Sequence, residues 1–411
     1  MTQSTWASSR RRFIGQAAGL GLGGLLGAGG ARAQSAGGIV LPFGNGERPI
    51  TEDFPQKGAM ILQRTRPPQL ETPFEVFDQG VFTPNDRFFV RWHLANIPTE
   101  IDPAAFRIKV RGHVNKTIEL SLDDLTTRFE RVEVAAVNQC SGNSRGFFAP
   151  RVLGAQWAHG AMGNARWTGV RLKDVLDSAG VAAGAVAVRC TGLDTGVLPA
   201  TPQFHHSLAI DHARDGEVII AFLMNGERLP LLNGYPVRLV VPGWFAPYWV
   251  KMLSDIEVLD KPDDSFWMST EYQVPDTPHA SMQPGQTGVR MVPISRMVPR
   301  SFFTNVKDGA AFKAGAPVEL RGIAFGGDAG VAQVRVSTDG GRQWQQARLG
   351  PDLGRYGFRE WNAAVHLAGP GSHTVQVMCT NTAGVSQPAQ ANWNSGGLMR
   401  NVIESVTLQL G

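Results

Sequence analysis

The chain has 411 residues, of which 43% are hydrophobic and 18% charged. This composition is typical of a globular protein with two or three domains, and it excludes a disordered, collagenous or membrane-spanning chain. The 39 basic residues exceed the 35 acidic ones only because of four arginines in the first 33 residues, which contain no acid. The remaining chain has balanced charge, which gives no support to nucleic-acid binding.

Residues 1–33 have the features of an export signal. The run SRRRFIG (9–15) precedes a glycine-rich apolar stretch and then Ala31-Arg32-Ala33, a small-residue cleavage pattern. Arginines directly before Phe and Ile are typical of the twin-arginine signal, which exports folded proteins. We therefore predict a signal peptide at 1–33, a periplasmic protein and no membrane span in the mature chain. An uncleaved anchor is the alternative, which the many glycines disfavour.

The mature chain is predicted to be α+β, in two domains. A proline-rich, extended lead-in (34–73) is followed by a first domain (74–290) of short strands and helices, and a proline-rich stretch ends that domain. From 291 to 411 closely spaced alternating strands with glycine-rich turns predict an immunoglobulin-like β-sandwich. In the first domain, strands are predicted in FRIKVRGHV, RVEVAAVN, EVIIAFLMNGERLP and YPVRLVVPG, and helices in SLDDLTTRF and RLKDVLDSAG.

One cysteine stands out because its neighbours are polar and flexible. In VNQCSGNSRGFF, Cys140 follows a predicted strand and is itself followed by Ser, Gly and Asn and by Arg145. Such surroundings are typical of a thiolate that binds a metal or acts as a nucleophile. Since the chain has only Cys140, Cys190 and Cys379, at least one thiol is left unpaired. Taken alone, Cys140 could equally be a buried, inert thiol.

Several cations accompany this cysteine. Arg91 and His93, two apart in a predicted strand, face the same side. Together with Cys140, Arg145 and Tyr272 they would form a positive pocket for a small oxyanion, although ion pairs and a packed tyrosine explain each residue singly. Farther on, Arg238 and Lys251 flank a Pro-Gly turn, a pattern that suits either a phosphate site or solvated charge at a sheet edge.

Four motifs resemble the sulfite oxidase family of molybdenum enzymes, and within it the molybdenum subunits of bacterial periplasmic sulfite dehydrogenases. They are FFVRWHLANIP, CSGNSR, GYPVRLVVPG with the following WVK, and VRVSTDGGRQW, and the resemblance runs from about Leu70 to the C terminus. It implies a sulfite-oxidase-type molybdopterin domain before the sandwich. It also implies Mo-molybdopterin as cofactor, with Cys140 as the metal ligand.

The resemblance also implies roles for individual residues. Asn233 departs from the histidine that is usual in animal enzymes. The implied catalytic and substrate residues are Arg91, His93, Arg145, Tyr272 and, from the FREW motif, Arg359. The implied cofactor-binding residues are Phe89, Arg91, His93, Cys140, Asp194, Asn233, Arg238, Trp249 and Lys251.

The implied reaction is the oxidation of sulfite to sulfate by oxygen-atom transfer from a metal oxo group, with electrons passed singly to a c-type cytochrome. We expect no haem in this chain, because C-x-x-C-H is absent. A homodimer through the C-terminal domain occurs in animal relatives. A sulfane dehydrogenase of a thiosulfate-oxidising complex is the alternative within the family. From another class, a non-enzymatic periplasmic binding protein would have Cys140 tied to Cys190 or Cys379.

Overall fold

The computed structural model describes residues 39–41 and 46–411, so the signal predicted at 1–33 lies outside the described residues. Three strands of the segment predicted as an extended lead-in, β3 (Ile50–Thr51), β4 (Met60–Arg64) and β5 (Gln69–Glu71), form a small antiparallel sheet with β6 (Val90–Arg91) of the first domain, in the order β3-β4-β5-β6. Its last pair places Gln69 opposite Arg91, so this segment contributes to the surroundings of the predicted site. The strands are β1 (Ile39–Leu41), β2 (Gly46–Arg48), β3 (Ile50–Thr51), β4 (Met60–Arg64), β5 (Gln69–Glu71) and β6 (Val90–Arg91).

The first domain is built on two five-stranded sheets. One has the order β14-β13-β10-β9 with β15 beside β13, and the other has the order β12-β11-β16-β7-β8. The pair β16–β7 is parallel. The strands are β7 (Ile108–Gly112), β8 (Ile118–Leu120), β9 (Arg131–Gln139), β10 (Met162–Arg171), β11 (Ala187–Gly192), β12 (His205–Ala209), β13 (Ile219–Met224), β14 (Glu227–Arg228), β15 (Arg238–Val240) and β16 (Leu253–Leu259).

The helices of this domain are short, and their ends follow from the sequence. Ser121 and Asp124 form a reciprocal capping box at the start of the first helix, and Gly180 ends the second helix in a left-handed conformation (φ 71°). Both helices and all four strands predicted in this domain are confirmed. No helix of the described part is long and apolar enough to cross a membrane. The helices are α1 (Leu122–Arg128), α2 (Leu172–Ala179), α3 (Ile210–Ala213) and α4 (Phe266–Ser269), with 3-10 turns at Phe74–Asp78, Asn85–Arg87, Arg145–Phe147, Leu231–Asn233, Ala246–Tyr248 and Pro278–Ala280.

The C-terminal domain is a β-sandwich, which confirms the predicted α+β fold class with a sandwich second domain. Its sheets have the orders β19-β21-β25-β24 and β20-β27-β26-β22-β23, and a core that includes Leu320, Trp361 and Leu408 lies between them. The strands that follow β16 are β17 (Gln273–Pro275), β18 (Met291–Pro293), β19 (Arg300–Phe303), β20 (Ala311–Phe312), β21 (Val318–Phe325), β22 (Val331–Ser337), β23 (Gln345–Gln346), β24 (Arg348–Leu349), β25 (Arg359–Val365), β26 (Gly371–Asn381) and β27 (Glu404–Leu410).

The two domains share a contact region at the end of β9. Val137 N–H donates to Tyr356 O (2.9 Å), and Met399 N–H donates to Ser141 O (2.9 Å). An apolar cluster with members from both domains, including Phe77 and Phe302, packs there. The loop that follows β9 is therefore held by both domains.

Candidate active site

Cys140 lies directly after β9, at the start of a tightly closed loop. Its N–H donates to Ala161 O (2.9 Å), and its carbonyl accepts from Asn143 N–H (2.9 Å). Ser144 adopts the left-handed conformation (φ 68°), which is costly for a residue with a Cβ and is common at functional sites. The loop therefore fixes both Cys140 and the adjacent Arg145.

All three cysteines of the chain lie in the described part, and none is disulfide-bonded. The disulfide on which the binding-protein alternative depends is therefore not formed. Burial raises the pKa of the Cys190 and Cys379 thiols to about 12, so these two remain protonated. Cys140 differs from them in its position, because it lines two cavities.

The first of these, the inner cavity, has a volume of about 450 Å³ and is cationic. Arg91, Arg238 and Lys251 line it, and no aspartate or glutamate is among its described lining residues. Such a cavity suits an anion. Its wall consists of Phe88, Phe89, Arg91, His93, Asn138, Cys140, Phe204, Leu232, Asn233, Arg238, Ala246, Pro247, Lys251 and Tyr272.

The inner cations are held by backbone carbonyls and aromatic faces. Arg238 donates to Asn233 O and Trp249 O (both 3.0 Å), and its guanidinium lies over the rings of Trp167 and Trp249. Lys251 Nζ donates to Arg91 O (2.9 Å). Burial lowers the pKa of Arg238 to about 9 and also lowers the pKa of Lys251, which the Arg238 charge lowers further. A bound anion would offset this electrostatic cost.

Three buried donors of the inner wall have no partner among the described residues. They are Arg91 Nη1, Asn138 Nδ2 and Arg238 Nε. A buried donor without an acceptor costs roughly 1–3 kcal/mol, and more when it is charged. The wall therefore fits a ligand with several acceptor atoms and negative charge, as a pyranopterin phosphate has.

Lys57 is a member of this site that sequence reasoning missed. Its Nζ donates to Asn85 O (2.8 Å), Phe88 O (2.9 Å) and Asn233 Oδ1. Burial lowers its pKa to about 7. Asn233 in turn donates from Nδ2 to Phe89 O (3.0 Å), so Lys57 fixes two segments of the inner wall. Because it stands between Pro55-Gln56 and Gly58, in a stretch typical of a turn, nothing in the pattern separates it from a surface lysine.

His93 and Tyr272 form a pair at the boundary between the cavities. His93 Nε2 contacts Tyr272 Oη in a short hydrogen bond, and the imidazole stacks on Phe204 at 3.7 Å between ring centroids. Burial lowers the pKa of His93 well below its usual value and raises the pKa of Tyr272 to about 12. Near neutral pH the pair therefore consists of a neutral imidazole and a protonated phenol. Tyr272 has φ 56°, a second left-handed position at the site.

The second cavity, the outer cavity, is wider, at about 1130 Å³, and includes residues of both domains. It shares Arg91, Cys140 and Tyr272 with the inner cavity. These residues therefore form the partition between the cavities. The outer wall consists of Arg64, Gln69, Arg91, Cys140, Ser141, Arg145, Leu153, Gly154, Ala155, Trp157, Thr270, Glu271, Tyr272, Gln273, Met291, Ser395, Gly396 and Leu398.

Arg145 is fixed in the outer wall by backbone carbonyls. It donates to Gly396 O and Gly397 O (both 3.2 Å) and to Ala155 O (3.3 Å). A Cβ at Gly142 would lie only 2.6 Å from its Nη2. A larger residue at position 142 would therefore push the guanidinium away from the neutral carbonyls that orient it without cancelling its charge.

The C-terminal domain also supports the cysteine loop through a buried arginine. Arg300, 1% exposed, donates to Ser144 Oγ (3.1 Å) and to Glu404 Oε1 (2.7 Å). Ser144 Oγ also contacts His159 Nδ1 at 2.8 Å. The left-handed Ser144 is thus held by a hydrogen-bond network that crosses the domain boundary.

The structure brings most of the predicted residues together. Trp249 and Asp194 lie behind the wall: Trp249 packs on Arg238, while the Lys251 charge acts on buried Asp194, whose pKa burial raises. Arg359 does not line either cavity. Its guanidinium donates to Gly350 O and Val331 O inside the sandwich, so the substrate role implied for it gains no structural support. The predicted residues on the cavity walls are Phe89, Arg91, His93, Cys140, Arg145, Asn233, Arg238, Lys251 and Tyr272.

Comparisons with known proteins assign a family to both parts of the chain. Residues 93–267 match the oxidoreductase molybdopterin binding domain, and residues 293–410 match the Mo-co oxidoreductase dimerisation domain. Rat mitochondrial sulfite oxidase is 32% identical, and the match covers 88% of this chain and 68% of the relative. Chicken sulfite oxidase is 34% identical, and the match covers 76% of this chain and 68% of the relative. Mouse mitochondrial sulfite oxidase is 36% identical over 73% of this chain, which spans only 55% of that relative's length.

A solved structure has the same fold over nearly the whole chain. It is the sulfane dehydrogenase SoxCD from Paracoccus pantotrophus, with a TM-score of 0.71, 23% identity, and 89% of this chain and 90% of that chain covered. At this identity the likeness concerns the fold alone. It covers both domains described above.

Proposed function

Because this chain belongs to the sulfite oxidase family of molybdopterin oxidoreductases, we propose that it oxidises sulfite to sulfate with Mo-molybdopterin as cofactor. The observation that carries the proposal is the position of Cys140. Its thiol lies in the partition between a cationic inner cavity and an arginine-lined outer cavity. A soft thiolate suits a high-valent metal, and the two cavities would serve the cofactor and the substrate separately.

The inner wall fits the cofactor. Cys140 would bind the metal, while Asn233, Arg238 and Lys251 would hold the pterin and its phosphate. The unpartnered donors of Arg91, Asn138 and Arg238 offer the hydrogen bonds that such a ligand accepts. When bound, the molybdenum supplies the oxygen-atom transfer and the two-electron change.

The outer wall supplies what a small dianion needs. Arg145 is oriented in advance by three carbonyls, so little reorganisation accompanies sulfite binding. Arg91 lies in the partition and lines both cavities, so its positive charge also acts on an anion in the outer cavity. Tyr272, protonated because burial raises its pKa to about 12, would donate its O–H to the anion, and the neutral His93 would then donate from Nε2 to the phenol oxygen. These residues bind and orient the substrate and hold the proton on Tyr272.

Three further parts of the proposal concern the protein's surroundings. Electrons leave one at a time to a c-type cytochrome, the protein acts in the periplasm after twin-arginine export, and the chain forms a homodimer. The twin-arginine pattern from which a signal peptide is predicted at residues 1–33 supports the location. The match of residues 293–410 to a dimerisation domain supports the homodimer.

The test is an assay of the purified, cofactor-loaded protein with sulfite or thiosulfate and oxidised cytochrome c, together with metal analysis. We expect sulfite-dependent cytochrome reduction and molybdenum near one atom per chain, both lost in Cys140→Ser and retained in the control Cys190→Ala. Molybdenum with oxidation of thiosulfate or of a sulfane-bearing carrier, and none of sulfite, would favour a sulfane dehydrogenase instead. Absence of molybdenum from the wild-type protein would reject both enzymes.

A further inference from the structure

A row of polar side chains crosses the N-terminal sheet toward Cys140. In the strand register Arg64 lies opposite Gln69, and Gln69 lies opposite Arg91. Residues directly opposite each other on neighbouring strands project from the same face, with Cβ atoms roughly 5 Å apart. All three line the outer cavity: Arg64, at one end of the row, is exposed, Gln69 in the middle is buried, and Arg91 at the partition is half-buried. The row therefore leads from solvent to the partition.

A β-bulge gives Arg64 its place in this row. Leu62 pairs with Leu70 and Arg64 pairs with Gln69, so the register shifts and Gln63 is the extra residue. In a regular ladder Gln63 would oppose Gln69. Instead its amide donates to Glu71 Oε2 (2.8 Å) and Gln156 O (3.3 Å), away from the row. Bulges beside active sites commonly redirect a side chain, and this one replaces an amide by a guanidinium at the cavity entrance.

The charge of Arg64 is unmatched within the described part of the chain, where its guanidinium forms no hydrogen bond or ion pair. Its neighbours differ: Arg48 donates to Gln63 Oε1 (3.2 Å) and Arg66 donates to Asn96 Oδ1 (3.2 Å). In the described outer wall the only carboxylate is Glu271, against Arg64, Arg91 and Arg145. The cavity thus retains net positive charge at its entrance as well as at its base.

We propose that Arg64 is a third anion-binding residue, which captures the substrate dianion at the entrance and delivers it to Arg91 and Arg145. The inference rests on the proposed function for the identity of the anion. A cation at the rim of a low-dielectric cleft raises the local concentration of an anion and its association rate. Because Arg64 is separated from the partition by Gln69, it acts on capture and leaves the chemical step unchanged.

The test uses Arg64→Gln, Arg64→Glu and the matched control Arg66→Gln in the molybdenum-loaded protein. For Arg64→Gln we expect a roughly three- to tenfold rise in the KM for sulfite with kcat within about twofold of wild type. Arg64→Glu should raise the KM for sulfite further. In both variants kcat/KM should depend less on ionic strength than in the wild type. Arg66→Gln should match the wild type, since its side chain lies outside the cavity.

Binding of radiolabelled sulfate, measured by equilibrium dialysis, gives a second readout that needs no turnover. Sulfate should bind more weakly to Arg64→Gln by the same factor as the rise in KM. If Arg64→Gln and Arg66→Gln are indistinguishable in KM, salt dependence and sulfate affinity, the inference is overturned. If the wild-type protein fails to oxidise sulfite, the proposed function fails, and sulfate binding still decides whether Arg64 binds an oxyanion.

Discussion

The inner and outer cavities differ in which parts of the chain build them. Every described residue of the inner wall comes from the first domain, between Phe88 and Tyr272. The outer wall also includes Arg64 and Gln69 from the N-terminal sheet and Met291, Ser395, Gly396 and Leu398 from the C-terminal part. The first domain therefore supplies the whole described wall of the proposed cofactor site, which Lys57 of the N-terminal segment supports from behind, whereas the proposed substrate site needs three parts of the chain.

The cavities also differ in the burial and the hydrogen-bond partners of their arginines. Inside, Arg238 is buried against aromatic rings and keeps an unpartnered Nε, which is costly until an anion arrives. Outside, each nitrogen of the Arg145 guanidinium donates to a carbonyl in a wide, open cavity. The inner arrangement favours a ligand that binds once and stays, and the outer arrangement favours an anion that binds and leaves at each turnover.

The largest effect is expected from Arg238→Met, which removes an inner charge and keeps most of the side-chain volume. Retention of the cofactor should fall by on the order of 10- to 100-fold, as for other residues that support a bound metal group. Molybdenum content and pterin fluorescence after gel filtration measure the retention.

The same substitution distinguishes cofactor binding from folding. Arg238→Met removes a costly desolvated charge but also two hydrogen bonds to Asn233 O and Trp249 O, so the two effects oppose each other and the cofactor-free variant should unfold at about the same denaturant concentration as wild type. The exposed Arg228→Met serves as control and should retain cofactor normally. Wild-type cofactor content in Arg238→Met would show that the inner cations do not hold the ligand.

Gly142→Ala should affect the outer cavity only. The new Cβ would lie within 2.6 Å of the Arg145 guanidinium and displace it from its carbonyl partners. Loss of a positioned, charge-assisted hydrogen bond costs about 1.5–3 kcal/mol, so the KM for sulfite should rise roughly tenfold or more at unchanged molybdenum content. Arg145→Lys should act similarly, because an ammonium lacks the planar fork, while the exposed Arg151→Lys should have no effect. Loss of molybdenum in Gly142→Ala would mean that the two cavities are not independent.

The sequence predicted well those features that depend on neighbouring residues. The capping pair Ser121 and Asp124, three residues apart, was enough to predict where α1 begins. The alternation of polar and apolar residues was enough to predict the strands of the sandwich. The cysteine loop was recognisable for the same reason, because Cys140, its polar neighbours and Arg145 lie within six positions. Its role as a metal ligand, however, was implied only by the resemblance to a family, and its position between two cavities is seen only in the structure.

Contacts between distant segments could not be predicted. Lys57 meets Asn233 across 176 positions, and Arg145 meets Gly397 across 252. Nothing local marks Lys57 or Arg300 as buried, since lysine and arginine are usually exposed. Arg359 illustrates the opposite limit: a four-residue motif suggested a substrate role, yet its strand places the guanidinium among carbonyls of the sandwich.

The smallest effect is expected from Lys57→Met, measured as the pH dependence of stability in the cofactor-free protein. Burial lowers the pKa of Lys57 from 10.5 to about 7, so between these values the folded state binds fewer protons than the unfolded state. The free energy of unfolding of the wild type should therefore rise from pH 7 to pH 9, by up to about 2–3 kcal/mol from this group. In Lys57→Met the free energy of unfolding should rise by that much less between pH 7 and pH 9. In the control Lys116→Met, which changes an exposed lysine, it should rise as in the wild type. Equal slopes in all three proteins, by urea denaturation at both pH values, would mean that Lys57 stays charged in the folded protein, with the nearby Asp86 carboxylate offsetting the cost of its burial.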